Sequence, residues 1–229
     1  MSDAMATLLV TGARVLTPGG EWPRGWIAVE GRRIVAMGQG RPPEPRQQPT
    51  VLDAGGLIVL PGFVDLHAHG AVGVDVMDAD PDGLRQMARF YARHGVTAWL
   101  PTTMTASARD LERALEAVGE VLGPVDRGAT VLGAHLEGPY LSKARRGAQD
   151  PSLIRVAPRD EATRLLDSGI VRLLAVAPEV QGNRWLVAEA AERGATPPVV
   201  VSQNLDGRDA TERNQRLLRA YRGRTRLPL

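Results

Sequence analysis

Phe63-Val64-Asp65-Leu66-His67-Ala68-His69-Gly70 is an apolar run that ends in two histidines one residue apart. Side chains of an extended chain alternate between faces, so His67 and His69 share a face, about 7 Å apart along the strand. The sequence that follows decides what kind of strand this is. Leu84, Met87, Ala88 and Tyr91 recur at helical spacing, and Gly95 is a stop. Thr97-Ala98-Trp99-Leu100 is then a short apolar strand. Ser107 with Asp110 resembles a capping box, and Leu111, Ala114, Leu115, Val118 and Leu122 continue one helix face. Thr130 to Ala134 is the next strand. A helix over 160–168 closes on Gly169 before a strand over 171–176, and a helix over 184–193 closes on Gly194 before Val199-Val200-Val201. Helices that close on glycine and re-enter as apolar strands imply an α/β fold with a parallel sheet covered by helices. Sites in such folds assemble at the carboxyl ends of the strands, where His67 and His69 lie. Periodicity does not separate an open sheet from a barrel. The lack of a GxGxxG turn after the first strand argues against dinucleotide binding.

A second pattern, His135-Leu136-Glu137-Gly138-Pro139, ends a strand two βα units later. Two imidazoles converging at strand ends can ligate a divalent metal, and a carboxylate at Glu137 is a further ligand or a bridge. The competing reading is solvent-facing histidines and a strand-end charge. His135 reads as buried beside the site rather than as a ligand, and Gly138 lets a group approach the main chain closely. His94 falls near a helix end, where a cation suits the dipole, and reads as structural. Residues 1–60 read as short strands: Ile27 to Val29 and Ile34 to Met37 flank the turn Glu30-Gly31-Arg32, and 38–50 is a loop rich in Pro, Gly and Arg. The 229 residues include no cysteine, so thiolate sites and disulfides are excluded and a cytoplasmic setting is expected. A net charge of +2 implies no nucleic-acid partner, no stretch is apolar enough for a membrane span, and Asp3 with no basic region beside it argues against a secretory signal.

PGFVDLHAHG (61–70), GVTAWLPTTMT (95–105), GAHLEGPYLS (133–142), RRGAQDP (145–151) and VAPE (176–179) stand in this order. Together they resemble the N-acetylglucosamine-6-phosphate deacetylases of the amidohydrolase superfamily, over about residues 5–196. The resemblance implies a partial TIM-like (β/α) barrel over 61–202, a small β-sandwich portion over 1–60, and an atypical arginine-rich tail over 203–229. It implies metal ligation by His67, His69 and Glu137, with zinc or iron as the divalent ion, and an approach to the sugar by Gly138, Ala148 and Gln149. Many members carry histidine where Gln149 stands; glutamine still hydrogen-bonds but is never a cation. The implied reaction gives glucosamine 6-phosphate and acetate from an amino-sugar phosphate, and the complete family form is expected to be a homodimer.

The chain departs from the family after residue 202. None of its four histidines follows His135, whereas the family's further ligands are two later histidines. Gly207-Arg208-Asp209-Ala210-Thr211 resembles a disturbed form of the first of these patterns, and no residue matches the family's catalytic aspartate. A truncated or frameshifted, inactive product is the expectation. The alternatives are another amidohydrolase, such as a dihydroorotase-like cyclic amidase, and a non-catalytic remnant. A cyclic amidase normally has lysine where Glu137 stands.

Overall fold

The structure, a computed structural model, describes residues 6–44 and 47–193 and the main chain of 199–201. Gly194 and the segment 202–229, including the disturbed pattern at 207–211, lie outside the described residues. The chain divides into two compact units, Met1–Gly62 and Phe63–Leu229.

In the first unit, β1 (Leu8–Thr17), β2 (Gly20–Glu30) and β3 (Arg33–Gln39) form an antiparallel meander. Gly31 makes the β2–β3 turn with φ 56°, so Ile27 faces Met37 and Ala28 faces Ala36 across the ladder. β4 (Thr50–Asp53) and β5 (Ile58–Val59) both run parallel to β1, one along each half of it. The result is one five-stranded mixed sheet. Ala13, Val15, Ile27 and Ala54 form its small core. A second facing sheet is not among the described residues.

The second unit starts with β6 (Phe63–Ala68). A hairpin of β7 (Gly70–Ala71) and β8 (Val74–Asp75) leads into α1 (Pro81–Arg93). There follow β9 (Val96–Pro101), α2 (Ala108–Glu120), β10 (Thr130–Val131), β11 (Ala134–Glu137), α3 (Arg159–Asp167), β12 (Val171–Ala175), α4 (Arg184–Glu192) and β13 (Val199–Val201). β6, β9 and β10 pair in parallel, as do β11, β12 and β13. Gly133, at φ 144°, breaks one strand position into β10 and β11, and a parallel bridge from Thr102 to His135 joins the two sheets. Five strand positions therefore run side by side in chain order. Among the described residues they are not closed into a barrel, and no helix is long and apolar enough to cross a membrane.

The helix faces are those the spacing predicts. Leu84, Met87, Ala88 and Tyr91 of α1 are buried, as are Leu111, Ala114, Leu115 and Val118 of α2. Asp80 caps α1 through the Asp82 N–H (3.0 Å), with Pro81 at the first turn. Ser107 Oγ accepts from the Asp110 N–H (3.2 Å) and donates to Asp110 Oδ2 (2.6 Å), so the cap is local rather than a reciprocal box. Leu122 does not continue α2. The last turn tightens, with Val121 N–H bonding Val118 O and Leu122 N–H bonding Gly119 O, so Val121 takes the buried place and Leu122 is 45% exposed. Leu111→Ala should therefore cost about 2–5 kcal/mol, and Leu122→Ala should stay within about 0.5 kcal/mol. Urea unfolding of the two variants measures the contrast.

Candidate metal centre

β6 and β11 each end in a short polar motif, and β9 lies between them in the parallel order. At their carboxyl ends the ring nitrogens of His67 and His69 come together, Nε2 to Nε2, at 3.1 Å. Glu137 Oε2 lies 3.5 Å from His67 Nε2 and 3.2 Å from His69 Nε2. The parity argument thus holds for His67 and His69, and Glu137 joins them. The three donor atoms form a nearly equilateral triangle. A tetrahedral ion with bonds of about 2.0–2.2 Å spaces its ligand atoms roughly 3.3–3.6 Å apart, so the triangle fits one divalent ion with little movement. Two imidazole nitrogens and one carboxylate suit zinc or iron, and three protein donors leave a position for water or substrate. Among the described residues this is the cluster of His and acidic side chains that fits an ion.

The electrostatics agree with the geometry. The hydrogen bond to Glu137 raises the His69 pKa above its usual value, against burial, which lowers it. Burial alone would raise the Glu137 carboxyl, but the His69 hydrogen bond and the nearby imidazoles outweigh it and hold the group below its ordinary range. The Glu137 side chain is 8% exposed, whereas that of His67 is 53% exposed. One face of the cluster is therefore open to an arriving ligand while the carboxylate is sheltered.

The ring of His69 is oriented from behind. Its Nδ1–H donates to the Thr102 carbonyl at 3.1 Å, which turns Nε2 toward the cluster, where it meets Glu137 without an ion and would be the donor atom to one. Thr102 and its neighbour hold one ligand strand each. Thr102 Oγ1 accepts from Ala68 N–H (2.9 Å) and donates to Leu100 O (3.1 Å), and Thr102 N–H bonds Ala68 O (2.9 Å). Thr103 Oγ1 donates to Glu137 O and accepts from Glu137 N–H, both at 3.1 Å, and Thr103 N–H bonds His135 O (3.0 Å). Both threonines are fully buried. Sequence reasoning missed them; the signal was a threonine doublet directly after an apolar strand.

His135 is 3% exposed and is not one of the clustered donors. Its Nδ1–H donates to Leu66 O at 3.1 Å. Burial, then the charge of His67, lowers its pKa to about 4, so it is neutral near pH 7. His94 caps α1 and bonds Phe90 O through Nδ1 (2.9 Å), far in sequence from the cluster. Gly138 has φ 72°, and Thr105 occupies the direction a side chain would take. Gln149 is buried; its Oε1 accepts from Thr105 N–H at 2.7 Å and its Nε2 reaches Met104 Sδ at 3.6 Å. Ala148 beside it is exposed.

No protein-family model matches the chain. It is 40% identical over 127 residues to the N-acetylgalactosamine-6-phosphate deacetylase of Escherichia coli O157:H7, covering 55% of this chain and 34% of that one. It is 32% identical over 194 residues to the human N-acetylglucosamine-6-phosphate deacetylase, covering 82% of this chain and 47% of that one. The crystal structure of N-acetyl-D-glucosamine-6-phosphate deacetylase from Mycobacterium smegmatis superposes with a TM-score of 0.73 at 34% identity, over 84% of this chain and 49% of that one. The chain thus spans about a third to a half of the length of these relatives.

Cobalt(II) or zinc added to the purified chain should bind at one ion per chain. His69→Ala and Glu137→Gln should each weaken binding by at least the roughly 10–100-fold that outer-shell changes cause, while Ser168→Ala should not. Titration followed by cobalt absorption checks this; an ion held equally well by the His69 variant would place the site elsewhere.

Proposed function

For a chain that matches the N-terminal part of the N-acetylglucosamine-6-phosphate deacetylase family, we propose a role in metal-dependent hydrolysis of the acetamide of N-acetylglucosamine 6-phosphate. The products are glucosamine 6-phosphate and acetate. The observation that carries this reading is the convergence of His67 Nε2, His69 Nε2 and Glu137 Oε2 at two adjoining strand ends. We read the five parallel strands as an arc of a (β/α) barrel, which puts the cluster at the carboxyl face where barrel enzymes place their chemistry.

A divalent ion, zinc or iron, held there would polarise the acetamide carbonyl and lower the pKa of a bound water. The residues of this chain prepare that setting. His67 and His69 would each present an imidazole Nε2 to the ion. Glu137 supplies the compensating negative charge from a sheltered position, so the ion is not left as an isolated charge in a half-buried cleft. Thr102 and Thr103 hold the two strand ends at fixed separation, so the donors need little reorganisation. The sugar would approach over Gly138 and Ala148. Gln149, whose carboxamide already bonds Thr105 and Met104, would meet it by way of the loop it anchors. The proton required by the leaving amine has no donor assigned among the described residues. The family resemblance puts that aspartate on a later strand.

The galacto epimer is a second reading, because an N-acetylgalactosamine-6-phosphate deacetylase is among the relatives at 40% identity. A cytoplasmic setting and a homodimeric complete form belong to the same proposal. The 229 residues hold no histidine after His135, so we expect an ion held by three protein donors and no turnover by these residues alone. Saturation-transfer NMR with the zinc-loaded chain should show metal-dependent binding of N-acetylglucosamine 6-phosphate, stronger than that of its galacto epimer. Acetate release should not exceed that of His67→Ala. Binding that is indifferent to zinc would defeat the substrate assignment, and clear turnover would defeat the expectation of inactivity.

A further inference from the structure

β6 and the residue that follows it carry the two histidine donors, yet the pairing of β6 with β9 is irregular where they begin. The register runs from Asp65, opposite Trp99, to Ala68, opposite Pro101, and skips Leu66 and His67. The Leu66–His67 peptide is gripped by side chains instead. Its N–H, from His67, donates to Asp65 Oδ1 at 3.1 Å. Its carbonyl, from Leu66, accepts from His135 Nδ1–H at 3.1 Å. His135 sits on β11, with the β9 position between it and β6, so this bond spans the sheet rather than following its ladder. The imidazoles of His135 and His67 then meet edge to face at 5.1 Å between centroids. A carbonyl only accepts, so the proton of His135 must be on Nδ1, and Nε2 is a buried lone pair with no hydrogen-bond partner among the described residues.

We propose that His135 is a positioning residue of the metal centre: its Nδ1–H sets the Leu66–His67 peptide plane and so aims the His67 imidazole at the donor triangle. This goes beyond the ligand set, and it rests on the metal-centre reading for its function but not for its geometry. A bulged strand segment, out of regular register with its neighbour, has more freedom to rotate its peptide. A rotation there moves His67 Nε2 away from His69 Nε2 and Glu137 Oε2 while leaving the rest of β6 paired. His135 removes that freedom from the same strand that delivers Glu137, so both ends of the donor triangle are referred to β11.

The test uses the 229-residue chain with His135→Ala, His135→Asn and His135→Gln. Asparagine places an N–H near the position of Nδ1, and glutamine places one near Nε2. Hydrogen exchange of the metal-free protein comes first. His135→Ala should speed exchange of the 63–69 segment by about 3–10-fold, the loss of one ordinary hydrogen bond, with β12 unaffected. His135→Asn should restore it and His135→Gln should not. In a cobalt(II) titration, His135→Ala should bind roughly 10–100-fold more weakly and His135→Asn should recover most of the affinity. Recovery by glutamine rather than asparagine would make Nε2 the working atom and overturn the proposal. Equal acceleration in β12 would reduce His135 to a general core residue and also overturn it. Should the wild-type chain take up no cobalt, the metal reading fails, while the exchange data still decide whether His135 holds the peptide.

Discussion

A sheltered carboxylate facing two imidazoles is the interaction around which the second unit is arranged. Burying Glu137 is unfavourable by itself, because the charged form loses water. The hydrogen bond from His69 and the nearby imidazoles reverse that penalty. The reversal holds only while β6 and β11 stay in register, and these strands are neighbours of β9 rather than of each other. Thr102 and Thr103 meet that requirement. Two adjacent side chains on one strand end reach in opposite directions, one to Ala68 and one to Glu137. Each uses its hydroxyl as both donor and acceptor, so no polar atom of the clamp is left over.

Much of this was legible in the sequence, and the reason is locality. The faces of α1 and α2, the glycine after α1 and the alternation that brings His67 to His69 follow from spacings within a few residues. Leu122 misled because a helix pattern does not announce a tightened last turn; the backbone bond from Leu122 to Gly119 decided it. The first unit was legible as strands but not as a topology. That β4 and β5 add in parallel along β1, rather than as another hairpin, depends on pairing across more than 30 residues. The bonds Gln149 makes to Thr105 and Met104 are similarly invisible in sequence, since 44 residues separate the amide from Thr105. The threonine doublet was in plain view within a motif, but a hydroxyl has meaning only once its partners are known.

The loop between β11 and α3 is tied down as firmly as the strands. Arg155 bonds Glu161 through Nε (3.0 Å) and Nη2 (2.8 Å) and the Ala106 carbonyl through Nη1 (3.1 Å), and Tyr140 donates to the same carboxylate at 2.9 Å. Asn183 is fully buried, accepting from Ala157 N–H and donating to the carbonyls of Tyr140 and Ala177. Buried, satisfied polar networks of this kind specify one arrangement. The exposed stretch at Ala148 is thus carried on a rigid support.

The placement of the donors also has a mechanical consequence. His69 and Glu137 are 68 positions apart (137 − 69), and an ion bound to both is a cross-link that closes the intervening chain. In the chain-entropy picture, closing a loop of that length removes roughly 4 kcal/mol of freedom from the unfolded ensemble. Such a link ties β6, whose Phe63, Val64 and Leu66 are exposed, to β11, whose residues are wholly buried. A bound ion would link occupancy of the site to integrity of the sheet: it would fasten the ends of β6 and β11 across β9, and chelation would loosen β6.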